Sequence, residues 1–288
     1  MNISTQHTVQ LDGFNVFFRK AGNPESPAVL LLHGFPTSSH MFRKLIPELS
    51  EKFFVIAPDL PGFGFSDAPD HKTYQYGFQN FADVVGKLVE HLGLKRFIIY
   101  VFDYGAPTGY RLALKYPDRV SGFIVQNGCA YDEGLLAFWD PIKKYWKDNT
   151  EENRQGIHFL VEPKATKWQY ENGVAEKDRH LLDPVTWTLD QAGMDRPGNA
   201  DIQLDLFYDY RTNVPLYPKF QEFFRKYQPP TLIVWGKNDH IFPPEGAEPY
   251  KRDLKNVKSI MYDTGHFALE THSVEIGKEI RSFFASIK

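Results

Sequence analysis

Cysteine is almost missing from this 288-residue chain; Cys129 stands alone. That excludes an intrachain disulfide and any cysteine-based zinc cluster. Long apolar runs are missing too. The longest, Phe97–Phe102, falls far short of the ~20 residues that span a membrane. The segment Met1–Asp12 is polar and carries no apolar signal stretch, so a reducing cytoplasm is the expected location. An excess of one charge is also lacking. With 33 basic and 36 acidic residues the net charge is −3, which argues against nucleic-acid binding and polybasic membrane contact. The histidines His7, His40, His71, His91, His158, His180 and His272 show no metal-ligand spacing, and no metal is expected. What the chain has in plenty is aromatics, with 24 Phe, 15 Tyr and 5 Trp, which suits an aromatic-lined pocket or an aromatic core. Charged residues at 24% and hydrophobic residues at 42% are ordinary for a globular fold and exclude wholesale disorder.

The first half alternates two periodicities. Thr8–Leu11 and Asn15–Arg19 read as a hairpin across Asp12-Gly13. Ala28–Leu32, Phe53–Ala57, Phe97–Phe102 and Val120–Gln126 are short apolar runs of the kind that form strands buried on both faces. Between them, Met41, Phe42, Leu45, Ile46 and Leu49 recur at helical spacing. So do Phe78, Phe81, Val84, Val85, Leu88, Val89 and Leu92, and Gly105–Tyr116 reads as a third helix. The alternation breaks near Cys129 and returns with Thr231–Trp235, a helix near Glu245–Leu254, Val257–Tyr262 and a last helix through Ile276 and Ile280. Strand–helix alternation with continuous apolar strands predicts a mostly parallel central sheet with helices on both faces. The polar, aromatic, proline-punctuated stretch between is too long for a simple loop. The expected organisation is a core in two parts, residues 1–129 and 226–288, with a helical cap at 130–225.

Ligands of open parallel sheets bind at the carboxyl ends of the strands. His33-Gly34-Phe35-Pro36 follows the first core strand, and Asp59 to Asp67 the second. Asp103-Tyr104-Gly105-Ala106-Pro107, Asn238-Asp239-His240 and Thr264-Gly265-His266-Phe267 follow later ones. In isolation Asp103 reads as a helix cap, Asp239 as a turn residue and His240 as a rival base. The glycines of Pro61-Gly62-Phe63-Gly64 lack the lysine and spacing of a phosphate loop. His33 reads as a hydrogen-bonded anchor of its loop.

Together, these five motifs in this order, with a helical insertion, resemble the α/β-hydrolase family over nearly the whole chain. The resemblance implies the α/β-hydrolase fold and a triad running nucleophile, acid, histidine: Asp103, Asp239, His266. The nucleophile position holds aspartate rather than serine, and Val101 replaces the first glycine of G-x-S-x-G. That resembles the branch of epoxide hydrolases and haloalkane dehalogenases. There a carboxylate displaces a leaving group at saturated carbon and forms an alkyl ester, which histidine-activated water then hydrolyses. Backbone N–H groups of Phe35 and Tyr104 would form the oxyanion hole.

A departing halide needs N–H donors, whereas a departing epoxide oxygen is a far stronger base and needs a proton donor such as tyrosine. Dehalogenases usually place tryptophan after the nucleophile, partnered by an asparagine after His-Gly or by a cap tryptophan; here Tyr104 and Phe35 stand at the first two of these positions. Fluoroacetate dehalogenases place arginines just after the nucleophile, where this chain has Tyr104 and Pro107. Asp209-Tyr210-Arg211 resembles the epoxide hydrolase segment that carries a ring-opening tyrosine, which implies that role for Tyr210. Tyr170 and Trp168 are candidate substrate contacts. The implied activity is hydrolysis of a small apolar or aromatic epoxide to a diol, with haloalkane dehalogenation next and non-catalytic ligand binding as a different class. No cofactor is expected. The partners are a small-molecule substrate and water, and the chain would be a monomer or homodimer.

Overall fold

The computed structural model describes residues 3–285. Its sheet is built from β1 (Thr5–Leu11), β2 (Phe14–Ala21), β3 (Ala28–Leu32), β4 (Phe54–Pro58), β5 (Phe97–Phe102), β6 (Val120–Gln126), β7 (Thr231–Gly236) and β8 (Val257–Tyr262). The strand order is β1-β2-β4-β3-β5-β6-β7-β8. The hairpin β1–β2 and the β2–β4 pair are antiparallel, and every later pair is parallel. Positive φ at Asp12 and Gly13 makes the tight hairpin turn.

The apolar runs are continuous because alternate residues feed different cores. Leu30 and Leu32 of β3, with Ile99 and Val101 of β5, pack on one face against α2 (Phe78–His91) and α3 (Gly105–Lys115). Val29 and Leu31, with Ile98 and Tyr100, pack on the other against α1 (Leu45–Leu49) and α11 (Ala268–Ala285).

Two expected helices are shorter than their periodicity suggests. Met41 and Phe42 lie in a separate 3₁₀ turn, Ser39–Phe42, ahead of α1. Pro47 has no N–H and its ring cannot tolerate a preceding helical turn, so the helix starts only just before it. Near Glu245–Leu254, Pro243, Pro244 and Pro249 leave a 3₁₀ turn at Pro244–Gly246 and one helical turn, α10 (Tyr250–Asp253).

Between β6 and β7 run α4 (Asp140–Lys147), α5 (Glu151–Gly156), α6 (Pro163–Glu171), α7 (Pro184–Met194), α8 (Asn199–Asp209) and α9 (Tyr217–Tyr227). Polar ties bind the end of α8 and the turn after it to the core helices α2 and α3. Asp209 accepts the Phe78 backbone N–H at 2.9 Å and so caps α2, whose own N-cap residue, Gly77, has no side chain to do it. Arg111 of α3 donates to Asn213 Oδ1 at 2.5 Å. Among the described residues no helix is long and apolar enough to cross a membrane.

Candidate active site

Asp103 is the first residue after β5 and has φ +49°, a left-handed conformation that costs an L-residue about 1–3 kcal/mol. The turn is sharp because α3 begins two residues later, at Gly105. A Cβ on Gly105 would sit 2.2 Å from the Leu32 carbonyl oxygen. The strain lifts the carboxylate off the strand end into the space above the sheet. There Asp103 Oδ1 accepts the backbone N–H groups of Phe35 and Tyr104, both at 2.6 Å. Neither bond is the N2 or N3 contact of a helix cap. The two donors expected of an oxyanion hole thus converge on one oxygen of the side chain, and Oδ2 is left facing His266.

His266 follows β8. Its Nδ1 donates to Asp239 Oδ2 at 2.7 Å, which leaves the Nε2 lone pair pointing at Asp103 Oδ2, 3.9 Å away. Nε2 is buried and has no hydrogen-bond partner among the described residues. Asp239 is held in turn by the Ile241 backbone N–H on Oδ1 and by Asn127 Nδ2 on Oδ2, each at 2.8 Å. His240, the rival base, is exposed. Burial pushes the Asp103 carboxyl up to about 6, although the nearby His266 and the two N–H donors pull the other way. Burial alone would lower His266. The charge and hydrogen bond of Asp239, with Asp103, outweigh it and hold the imidazole above its ordinary 6.5.

The supporting residues are legible one by one. His33 is fully buried; its Nε2 accepts the Leu60 backbone N–H at 2.9 Å and its Nδ1 lies 3.0 Å from the Gly34 carbonyl oxygen. Burial keeps it neutral, so it pins the oxyanion loop as expected of an anchor. Phe102, the residue before Asp103, packs its ring 4.5 Å from that of His266. Asn127 is a site residue that the motif reading missed. It follows β6 with φ +41°, and its side chain bridges the Gly236 backbone and Asp239. The strand-end rule pointed there, but asparagine carries no catalytic signature of its own.

A cavity over Asp103 is walled by Phe35, Tyr104 and Ile241 from the core and by Phe138, Trp139, Leu160, Gln169 and Phe207 from the helical segment. Its volume is about 10 Å³, room for about one water. Phe138, Leu160 and Gln169 also form the inner wall of an outer groove of about 540 Å³. A hollow of about 570 Å³ opens beyond Pro36, Thr37 and Ser38 and touches none of Asp103, Asp239 and His266.

The other sequence candidates fall outside the cavity lining. Trp168 is partly exposed and lines the outer groove, its ring parallel to that of Phe138. Tyr170 is buried on the far side, stacked on Phe267 with centroids 3.9 Å apart, and its hydroxyl donates to Asp190. That contact and the stacking turn it away from any substrate over Asp103. Tyr210 sits one layer behind the wall, its ring parallel to Trp146 and 4.5 Å from Trp139 between centroids. Its hydroxyl is buried beside that of Tyr217.

The close approach at Gly34 gives a direct test of the hole. A Cβ there would sit 2.1 Å from Asp103 Oδ1 and 2.5 Å from the Tyr104 nitrogen. Gly34→Ala is therefore expected to displace the carboxylate and lower turnover by about 10²-fold or more, the usual result of losing an oxyanion-hole donor. Steady-state kinetics beside a thermal melt check this; a folded variant with unchanged turnover would mean that Oδ1 does not work where it lies.

The geometry and the chain's relatives agree on a class. Residues 27–273 match the family model described as the alpha/beta hydrolase fold, so the chain belongs to that family of hydrolases. It is 48% identical over 288 residues to the protein named Uncharacterized hydrolase YNR064C of Saccharomyces cerevisiae, covering 98% of each chain. A shorter stretch of 111 residues, 38% of each chain, is 40% identical to Haloalkane dehalogenase 2 of Mycobacterium tuberculosis. The structure of the epoxide hydrolase CorEH superposes with a TM-score of 0.79 over 99% of this chain and 100% of that one, at 20% identity, a likeness of fold.

Proposed function

We propose that the protein hydrolyses a small apolar or aromatic epoxide to a diol through an alkyl ester on Asp103. The observation that carries this reading is the split environment of one carboxylate. Oδ1 is held by two N–H donors, while Oδ2 faces an imidazole nitrogen with an unspent lone pair. In the first step Oδ2 attacks a ring carbon, the carbon–oxygen bond breaks, and a tyrosine gives its proton to the departing oxygen. The ester carbonyl, Oδ1, already occupies the oxyanion hole. Water deprotonated by His266 then adds to the ester carbon. The tetrahedral oxyanion collapses, the imidazolium protonates the departing Oδ2, and the diol leaves; the water oxygen stays in the carboxyl, whose remaining proton restores the tyrosine. Asp239 stabilises the imidazolium formed on the way.

Epoxide is favoured over halide by the donors around the cavity. The one indole on its wall, Trp139, spends its N–H on the Ile241 carbonyl at 2.8 Å, so it has none for a halide. Phenols are close instead. Tyr104 is on the wall with its hydroxyl unpartnered among the described residues, and Tyr210 is directly behind it with its hydroxyl beside that of Tyr217. Burial raises both well above the ordinary phenol value, so both keep their protons at neutral pH. A cavity with room for one water must open to admit any aromatic epoxide. We assign the ring-opening proton to Tyr210, brought to the cavity by that opening.

A paired screen decides the reading: styrene-oxide-type epoxides scored for diol and bromoalkanes scored for bromide. Diol formation that falls about 10²-fold in Tyr210→Phe, with any bromide release unchanged, is the expected result. Bromide release without diol would make the protein a dehalogenase, the activity for which its Mycobacterium tuberculosis relative is named. Equal losses on both substrates would remove Tyr210 as the donor.

A further inference from the structure

Three polar side chains lie on the buried face of α6. Thr166 donates its hydroxyl to Gln191 Oε1 at 2.6 Å, and Tyr170 donates to Asp190. The third, Gln169, is 4% exposed and makes no side-chain hydrogen bond to any described residue. A carboxamide offers two donors and an acceptor, and this one has no protein partner that a ligand would have to displace. Its place on two walls makes it available to a ligand. Gln169 lines the catalytic cavity together with Asp103, and it also lines the outer groove. Among the cavity's side chains, Asp103 is held by the oxyanion hole and the Trp139 indole is spent on Ile241. Gln169 therefore brings the free amide donors of this wall, contributed from the helical segment and not from the core.

We propose that Gln169 is a specificity-determining substrate contact, whose amide hydrogen-bonds the oxygen of the electrophile and then a hydroxyl of the diol. This rests on the epoxide reading. An amide N–H can hold a developing alkoxide but cannot surrender its proton to it, so Gln169 orients the oxygen while a phenol protonates it. The position fits a substrate that comes through the outer groove. The apolar end rests among Phe138, Leu160 and Trp168, and the polar end meets the amide at the inner wall. An apolar molecule without an oxygen would leave the amide unpaired, so the site selects for small apolar molecules that carry one polar atom.

The test compares binding of 1-phenyl-1,2-ethanediol and ethylbenzene, two ligands of similar shape, to the wild type and to Gln169→Met by equilibrium titration. The diol is expected to lose threefold or more in affinity relative to ethylbenzene in the variant, the effect of one neutral hydrogen bond. A smaller change in that ratio, or failure of the wild type to bind the diol, overturns the proposal. Gln169→Leu, an apolar replacement of different shape, should give the same loss; a loss confined to one of the two would assign the effect to packing and overturn the proposal as well. Because this readout is binding, it separates from the epoxide reading. If the diol preference depends on Gln169 but no epoxide alkylates the enzyme, the contact stands and the reaction assignment fails.

Discussion

Replacing His266 with Gln is expected to leave an enzyme that is alkylated once and then stops. Attack by Asp103 Oδ2 needs no base, because the carboxylate is ionised above about pH 6. Attack of water on the ester does need one, and Nε2 of His266 is the unpartnered buried lone pair next to the ester position. Loss of a general base typically costs 10²–10⁴-fold. Mass spectrometry of the intact variant after exposure to an epoxide should therefore show the protein plus the whole substrate mass, stable for minutes to hours. Turnover at the wild-type rate would remove His266 from this role.

The same separation should be visible in the wild type as the pH is lowered. Asp103 must be deprotonated to attack, and His266 must be deprotonated to activate water. The Asp239 pair holds His266 above 6.5, whereas Asp103 titrates at about 6. Once Asp103 is an ester its charge no longer supports the imidazolium, so His266 moves down in the intermediate. Diol formation should fall on the acid side; alkyl-enzyme that accumulates there assigns the loss to His266, and alkyl-enzyme that disappears assigns it to Asp103. Quenched-flow mass spectrometry across pH 5 to 8 reads both fractions.

Asp103→Asn should be folded and inactive, with a loss of at least 10⁴-fold for a covalent nucleophile whose partners remain in place. Asparagine keeps an oxygen for the Phe35 and Tyr104 donors and offers an N–H to His266 Nε2, but it is a poor nucleophile. Its effect on stability has a definite sign. Burial raises the folded-state carboxyl from 3.8 to about 6, so the wild-type folded state binds the proton more tightly than the unfolded chain. Wild-type stability therefore falls as pH rises from about 4 to 6, and the neutral asparagine escapes that loss. The melting temperature of the variant should draw level with or exceed that of the wild type over that range. Inactivity alone does not prove covalent chemistry, so the origin of the product oxygen decides. In a single turnover in heavy-oxygen water with enzyme in excess, the label should appear in the peptide containing Asp103, and the diol should be mostly unlabelled. Label in the first diol would reject the alkyl ester.

Much of this was legible in the residues because the fold reports chemistry at strand ends. Five short motifs, each ambiguous alone, stand in a fixed order after apolar runs, and the parallel sheet brings the ends of those runs to one edge. That is why Asp103, Asp239 and His266, spread over 164 positions, meet within hydrogen-bond or near-contact distance. The helix periodicities near Met41 and Glu245 overreached because apolar spacing records burial, whereas proline decides which buried segment closes its hydrogen bonds.

The candidates on the inserted helices were hard to read because no strand end fixes their direction. Trp168 and Tyr170 are two residues apart on α6, and a helix turns them about 200° from each other. One faces the outer groove, the other stacks on Phe267, and the residue between them, Gln169, reaches the cavity. By itself the sequence determined the sheet and the order in which Asp103, Asp239 and His266 follow its strands, since burial periodicity and strand-end placement are local in the chain. Only the tertiary structure decided which oxygen of Asp103 is held, that Asn127 secures Asp239, and that Gln169 lines the cavity beside Asp103. Those facts depend on side-chain direction and on hydrogen bonds between distant segments, which no local pattern encodes.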